Sequence, residues 1–346
     1  MQYFSGKNKK QSQALLLCAV SFALIGALGS SDAYACAACG DALSTDFESQ
    51  GISNKPGFTA DISYNYINED QQRYGTGAAP STLIDSQLAA GQEIEAYTRT
   101  QTVTASLIYS EDTWAVTFQL PYMKRSHATY GATAPLGSSY STSSDAGIGD
   151  VKLLGRYSGL SNDNSSGVIA GIKLPTGSTN KYFDAGTSAG QPLDAGLQIG
   201  TGSTDLILGG YTTGAFAVYG WFVQGTVQHA VESKQALGNL DYRPGDLYTL
   251  NTGIRYAAFG ARFSPMLQLN IVKRQADTGA ATVPTDPVTG VPVSGGTLAY
   301  LAPGVSARVG NGVSIYGFVQ IPVYQNVNSL QITPSYTLNL GIRRSY

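Results

Sequence analysis

The sequence is short of charge and of the residues that most often carry chemistry. Charged residues make up 13% of the 346-residue chain, against about 25% in ordinary soluble domains. There are only 2 His, 3 Met and 3 Cys. No cysteine follows Cys39, so disulfides cannot hold the body of the chain together. The formal net charge of −2 argues against a nucleic-acid partner, because nucleic acids are bound by strongly basic surfaces.

Long apolar runs are also missing, except near the N-terminus. Three lysines precede an apolar segment at residues 14–28, and Ala33-Tyr34-Ala35 offers a small-x-small cleavage site. The segment is shorter than the roughly 20 residues that a spanning helix needs. We therefore expect residues 1–35 to be a secretory signal peptide that is cleaved on export. No later run approaches spanning length, which excludes a helical membrane protein.

Residues 36–56 are expected to form a short periplasmic tail that contains Cys36 and Cys39. A local disulfide between these two residues is the favoured interpretation, since exported proteins meet an oxidising compartment. Lipid attachment, a redox pair and half of a metal site are alternatives. No His follows Cys39, which excludes c-type haem attachment, and zinc would need two further ligands. We predict no cofactor and no bound metal.

What the sequence does contain is alternation. Apolar and polar residues exchange places at every second position, as in a strand with two unlike faces. In the first segment Phe58, Ile62 and Tyr64 share one face, and Asp61 and Asn65 lie on the other. We count about 12 such segments, at residues 58–66, 97–109, 114–122, 151–157, 168–174, 205–211, 219–228, 248–256, 263–271, 298–309, 313–321 and 336–342.

The connections between these segments alternate in length. Long ones are expected at 68–96, 124–147, 175–203, 228–246 and 274–296, and short ones at 110–113, 159–166, 212–215, 257–261 and 310–312. Outer-membrane barrels have short periplasmic turns and long outer loops. The pattern predicts an all-β fold, a transmembrane antiparallel up-and-down β-barrel of about 12 strands that spans residues 57–346. We expect it in the outer membrane of a Gram-negative bacterium, with both termini in the periplasm and the lipid bilayer as its surroundings.

Three prolines have matching surroundings. Pro121, Pro175 and Pro322 each follow a polar and an apolar residue at the end of a predicted outward-running strand, always at an inward-facing position. Because proline cannot donate to a β-ladder, we expect all three where strand pairing stops, near the outer rim.

A run from Gly147 to Tyr157 (GIGDVKLLGRY) and a second from Gly171 to Gly177 (GIKLPTG) resemble a known family. Further matches lie at residues 198–205 and 316–325. The chain is similar to the outer-membrane transporters associated with the MetA pathway of phenol degradation. The resemblance covers most of the mature chain and implies an outer-membrane channel for aromatic or other small organic compounds, with no catalytic residues.

The charged residues at inward-facing positions are candidates for lining a pore. Cations outnumber acids among them, and uncompensated positive charge along a channel concentrates anions. The candidates are Lys152, Arg156, Lys173, Arg255, Arg262, Arg308 and Arg343, with Asp61, Asp150 and Asp205 as the acids. We therefore expect a passive channel for small solutes that prefers anions, and not an enzyme.

Two other functions remain open at this stage. The only histidines, His127 and His229, are expected near the outer rim, where a barrel hydrolase could place a catalytic base. No G-x-S-x-G-like element surrounds the nearby serines, which argues against a catalytic triad. A structural barrel that holds a periplasmic partner is the other alternative, and Cys36 and Cys39 are its only hint.

Overall fold

The computed structural model describes residues 56–89, 93–130, 136–137, 139–232, 234–236, 240–257, 262–279, 286 and 293–346. The predicted signal peptide and the tail with Cys36 and Cys39 lie outside these residues. Their cleavage and their disulfide therefore remain predictions.

Twelve strand segments form the wall of the described chain. They are β1 (Gly57–Gly75), β2 (Ile94–Ser110), β3 (Trp114–Tyr130), β4 (Tyr140–Ile148), β5 (Val151–Tyr157), β6 (Ser166–Leu174), β7 (Asp205–Phe216), β8 (Tyr219–Ala230), β9 (Leu247–Tyr256), β10 (Phe263–Arg274), β11 (Gly296–Gly310) and β12 (Val313–Ser345). Each pairs antiparallel with its neighbours, and β1 pairs with both β2 and β12, which closes the barrel.

Two of these segments do not correspond to single crossings. Strands β4 and β5 both pair with β3, so they are the two halves of one crossing. Strand β12 has 33 residues, which at roughly 3.3 Å per residue would be far longer than a bilayer is thick. It turns back at Ser329, whose φ is 38°. Its first half pairs with β11 and its second half with β1. The described residues therefore make twelve crossings, as the alternation predicted.

The outer face of the wall is apolar because each strand turns every second side chain outward. Along β3 the outward residues from Trp114 to Tyr122 are large, hydrophobic and exposed. The eight steps from Trp114 to Tyr122 cover about 27 Å along the strand, which at the usual tilt of about 40° corresponds to a band about 21 Å high, slightly less than the ~25 Å typical of an outer-membrane barrel. The inner face carries the polar half of the alternation, with many Thr, Ser, Asn and Gln residues, and it also carries buried apolar residues such as Ile169, Phe222, Met266 and Phe318.

Short turns join the strands at one end of the barrel, and longer connections join most of them at the other. We call these the short-turn end and the long-loop end. The predicted order of long and short connections is confirmed. The exception at the long-loop end is the two-residue turn at Asn328 and Ser329, which β12 makes within itself.

Several strands are longer than predicted. Strands β1, β2, β3 and β12 continue beyond the apolar band and form paired ribbons at the long-loop end. The prediction that Pro121 and Pro322 end strands was therefore wrong, whereas Pro175 does follow the last residue of β6. Pro121 lies opposite the break between β4 and β5, and Pro322 lies at a register shift against β11. Irregular pairing of this kind is where a strand interior tolerates proline.

The short turn predicted at residues 212–215 was also wrong. These residues pair with β8, and the turn lies at Ala217 and Val218. Gly214 fits within the strand because the ring of Trp221 covers it, and a Cβ on Gly214 would lie 2.5 Å from that ring. The Thr-Thr-Gly sequence that resembles a turn is therefore a site for packing an indole ring.

The connections at the long-loop end contain additional short strands. Gly77–Ala78 pairs with β1 and Ala185–Gly186 with β4, and a separate three-stranded sheet consists of Lys234–Ala236, Leu240–Arg243 and Thr278–Gly279. A helix, α1 (Ser81–Ala89), lies between β1 and β2, and a 3₁₀ turn covers Ala195–Leu197. Within the described residues, no helix has the length and hydropathy needed to span a membrane.

Candidate functional site

One side of the inner wall is packed more tightly than the other. On β10, β11 and β12 the inward residues Gln268, Ala302 and Gln320 have at most 1% of their surface exposed, because they pack against one another. On β2, β3 and β5 the inward residues at middle height are only half-buried. We call this second set the solvated stretch; it consists of Thr102, Thr104, Ser106, Thr117, Gln119, Met123 and Lys152.

The connection at residues 175–204 folds inward at the long-loop end of the solvated stretch. We call it the inner loop. Leu193, Leu197 and Ile199 are each less than 5% exposed, and Leu193 and Leu197 pack with Phe183 in one apolar cluster. The wall side chains that this loop contacts, Arg125, His127 and Lys173 among them, occupy inward-facing positions. Through their backbone, Ala185 and Gly186 also pair with Thr142 and Ser141 at the edge of β4. The loop therefore lies on the lumen side of the wall.

An ionic cluster holds the returning end of the inner loop. Lys173 Nζ lies 2.8 Å from Asp205 Oδ2 and 3.4 Å from Asp150 Oδ2. The same ammonium group donates to the hydroxyls of Thr201 and Ser203. Ser203 in turn donates to Asp205 at 2.6 Å. We call these five residues the loop anchor, and within it the charge of Lys173 is neutralised by two carboxylates.

The backbone around Pro121 explains how Asp150 reaches the anchor. Since proline has no N–H, the ladder between β3 and the next crossing is interrupted at Gly149 and Asp150. Freed from regular pairing, Asp150 accepts hydrogen bonds from the backbone N–H groups of Gly177 and Thr201 at 3.0 and 2.9 Å. One carboxylate thereby binds both ends of the inner loop.

The two ends of the inner loop touch directly. A Cβ on Gly177 would lie 2.6 Å from the Cα of Gly200, so only glycine allows this approach. The N–H of Gly200 donates to the carbonyl of Ser178 at 2.9 Å. These contacts join the two ends of the inner loop, and none of them involves the residues at its tip.

Arg125 is a site residue that the sequence reasoning missed. It belongs to β3, is 7% exposed and faces inward. Its guanidinium donates to the carbonyls of Gly196 and Gln198 at 2.9 and 2.8 Å, and to the hydroxyl of Thr100 at 3.2 Å. The alternation predicted that the strand ends at Tyr122 and that Arg125 lies in a loop. Residues 123–129 do not alternate between apolar and polar side chains, so the sequence carried no signal of this kind that could have identified it.

The other predicted cations lie towards the short-turn end. Each is within about three residues of the end of its strand, at an inward-facing position; they are Arg156 on β5, Arg255 on β9, Arg262 before β10, Arg308 on β11 and Arg343 on β12. We call them the arginine ring. Lys152 lies farther from this end, directly across from Lys173 in the pairing of β5 with β6.

The members of the arginine ring differ in their partners. Arg343 Nε is 3.3 Å from Asp61 Oδ2, and Asp61 also accepts from Tyr316 at 3.0 Å. Arg156 lies over the ring of Tyr211, 5.8 Å from its centre. Arg255 packs against Gly220, where a Cβ would lie 3.1 Å from its Nη2.

Arg262 and Arg308 are adjacent at the mouth of the barrel. The backbone N–H of Arg308 donates to the carbonyl of Arg262 at 2.9 Å. Both side chains are exposed, and among the described residues no salt bridge involves either of them. The short-turn end of the lumen therefore carries more positive than negative charge.

The two histidines lie far apart. His127 faces inward, is 2% exposed, shares a 2.8 Å hydrogen bond with Thr98 and lies beneath the ring of Phe183. His229 faces outward near the long-loop end, where Nδ1 is 2.8 Å from Asp246 Oδ1. The described residues contain no group of three or more His, Cys, Asp or Glu side chains arranged to hold a metal.

Comparison with known proteins supports the fold. The chain is similar to an outer membrane channel from Pseudomonas putida F1, with a TM-score of 0.57 and 12% identity over 85% of this chain and 97% of that one. Similarity to the β domain of the Bordetella autotransporter BrkA is lower, with a TM-score of 0.46, 11% identity and coverage of 83% and 99%. The Ralstonia pickettii toluene transporter TbuX also gives 0.46, with 10% identity and coverage of 84% and 90%.

The fold therefore defines the chain as a transmembrane β-barrel of the kind found in Gram-negative outer membranes. No family model matches the sequence, and no curated protein does. The resemblance to the transporters of the MetA pathway thus remains a sequence-based prediction of the family name.

Proposed function

We propose that the protein is a passive outer-membrane channel for small solutes, in which the inner loop narrows the lumen. The observation that carries the proposal is the inner loop itself. It lies against the inward-facing side of the wall and is fixed there by Arg125 and the loop anchor. A loop that only connected two strands outside the barrel would not need two buried cations, Arg125 and Lys173, to hold it against the inner wall.

The fold supports a channel over other barrel functions. The structure from Pseudomonas putida, similar over almost all of its own length, is an outer membrane channel. On this proposal the long-loop end faces the outside and the short-turn end faces the periplasm. Residues 1–35 are then removed on export, and residues 36–56 form a periplasmic tail.

The solutes we propose are small organic compounds, with a preference for anions. The sequence resemblance points to aromatic or related organic molecules. The arginine ring supplies the preference, because positive charge at a narrow mouth raises the local concentration of anions. Lys173 contributes less than the sequence suggested, since Asp150 and Asp205 neutralise it.

The histidines favour a channel over a hydrolase. A catalytic base must reach the proton that it removes. His127 is almost fully buried between Thr98 and Phe183, and His229 faces away from the lumen beside Asp246 and Arg243. We therefore propose that neither residue is catalytic and that the protein is not an enzyme.

Solute passage can be tested in vesicles that contain the purified mature protein. In isotonic potassium benzoate with valinomycin, which lets potassium follow the anion, we expect the vesicles to swell faster than protein-free vesicles. Swelling in arabinose, a neutral solute, should be slower. Swelling no faster than in protein-free vesicles for either solute would contradict the proposal.

A further inference from the structure

A basic and aromatic patch lies on the outward face of the barrel at the long-loop end. Arg99 on β2 and Lys124 on β3 are both exposed and both occupy outward-facing positions. Tyr97, Tyr130 and Tyr140 lie on the same face beyond them. None of these residues contributes to the lumen, so the channel proposal does not explain them.

The position of the two cations relative to the apolar band is specific. Val103, Tyr122 and Ile148 stand side by side on neighbouring strands, and all three are large, apolar and exposed. The next outward position on β3 is Lys124, and Arg99 lies one outward position beyond Gln101, the partner of Lys124. Two residues of strand advance about 7 Å. The positive charges therefore begin one step beyond the apolar band, at the height of lipid headgroups.

Arg99 is held in place by neighbours that leave its charge available. Its guanidinium carbon lies 4.5 Å from the centre of the Tyr97 ring. Its Nε donates to Asn68 Oδ1 at 3.3 Å. Asn68 uses its own amide N–H groups to bind Asp70 and Ser335 at 2.7 and 2.9 Å. The carboxylate of Asp70 thus accepts from the amide of Asn68. In this network Arg99 contacts the neutral Oδ1 of Asn68 and the ring of Tyr97.

The same chemistry occurs at the opposite end of the barrel. Arg344 is exposed, occupies an outward-facing position and lies 4.8 Å from the ring centre of Tyr346, two residues away, just as Arg99 lies over Tyr97. The short-turn end also carries outward aromatic side chains, such as Tyr109, Trp114 and Tyr219. What distinguishes the long-loop end is therefore the second cation, Lys124. The patch at the long-loop end is therefore more than the general aromatic girdle of a membrane barrel.

We propose that Arg99 and Lys124, with the tyrosines beside them, bind the phosphorylated glucosamine headgroup of lipopolysaccharide in the outer leaflet. Charge complementarity selects this occupant. The patch presents two cations at headgroup height on the lipid-facing surface, and the lipid on that side of the outer membrane carries phosphate on sugar. Arginine suits a phosphate oxygen pair, and tyrosine rings and hydroxyls suit a sugar face.

Binding of short-chain lipopolysaccharide to the full mature protein in detergent tests the proposal, with native mass spectrometry as the measurement. We expect Arg99→Gln/Lys124→Gln to bind about tenfold more weakly, since each cation near a lipid surface adds to the affinity. Arg344→Gln is the matched control and should bind as the wild type does. Arg99→Lys/Lys124→Arg, which keeps both charges, should retain most of the affinity. Heat-modifiable migration on gels establishes that each variant is folded.

Four results would overturn the proposal. The first is unchanged affinity in the folded double variant. The second is an equal loss in Arg344→Gln. The third is an equal loss of phosphatidylglycerol binding in the double variant, which would make the patch a general site for anionic lipids. Displacement of the lipid by inorganic phosphate alone would likewise assign the site to free phosphate.

Discussion

Lys173 on β6 and Asp205 on β7 lie directly opposite each other, and their charged atoms are 2.8 Å apart on the inner wall. Both side chains are almost fully buried. A cation that the sequence placed in a water-filled pore is therefore a structural member of the loop anchor. This relationship separates the cations that hold the inner loop from those that can act on a solute.

The first prediction concerns the stability of the anchor. Lys173→Met leaves the carboxylates of Asp150 and Asp205 buried without their cation, and we expect the free energy of unfolding to fall by about 3–5 kcal/mol. Urea unfolding of the protein in detergent measures it. Lys181→Met is the matched control, because its ion pair with Asp145 is partly exposed and should cost no more than about 1 kcal/mol. Equal effects from the two substitutions would contradict the role of the anchor.

The second prediction concerns the hold of Arg125 on the inner loop. Arg125→Ala removes the donors to the carbonyls of Gly196 and Gln198. We expect a noisier open state and a higher mean conductance in planar bilayers, because the tip of the loop is released while its base stays anchored. Lys273→Ala, which removes an outward-facing cation of β10, should leave the recordings unchanged. A variant at Arg125 with wild-type noise and conductance would show that the loop does not limit the current.

The third prediction concerns ion selectivity. Neutralising Arg156, Arg255 and Arg262 together as glutamines should reduce or reverse the anion preference that we expect of the wild type. The effect should be largest at low salt, where screening is weakest. Lys173→Met should change selectivity much less than the triple variant. The ion selectivity of the wild type, the triple variant and Lys173→Met is measured from reversal potentials across a salt gradient. A wild-type pore that prefers cations would show that the arginine ring does not determine selectivity.

The fourth prediction concerns where β3 ends. A short tag inserted after Gly137, in the connection between β3 and β4, should be tolerated and should be labelled on intact cells. The same tag inserted after Arg125 should prevent folding, because Arg125 pairs with Thr100 and Asp145 on the two neighbouring strands. If both insertions were tolerated and labelled equally, the extension of β3 beyond the apolar band would be wrong.

The barrel could be predicted from the sequence because each crossing carries its own evidence. The alternation along β3, from Trp114 to Tyr122, follows from a strand that has lipid on one face and polar surroundings on the other. That contrast disappears once the strand leaves the bilayer. Beyond Tyr122 the outward residues are Lys124, Ser126 and Ala128, so the pattern fades although the pairing continues to Tyr130. For this reason the ends of the strands were predicted too early.

The candidate site could be predicted only in part, for a different physical reason. The odd or even position of a residue along its strand indicates whether its side chain turns inward, as it did for Lys173 and Asp205. It cannot indicate which of them meet a loop that returns from elsewhere in the sequence. The contacts of Arg125 with Gly196 and Gln198 span about seventy residues. Only the folded chain shows that some inward cations bind this loop and others remain at the mouth.

The single-channel conductance of a variant that lacks the tip of the inner loop shows whether this loop narrows the lumen. The backbones of Gly177 and Gly200 are in contact, so residues 178–199 can be removed and the two glycines joined with the loop anchor intact. We expect discrete, stable current steps from the wild-type protein and clearly larger steps from the shortened variant. Steps of equal size would show that the loop does not narrow the lumen. An absence of steps from both folded proteins would contradict the channel itself.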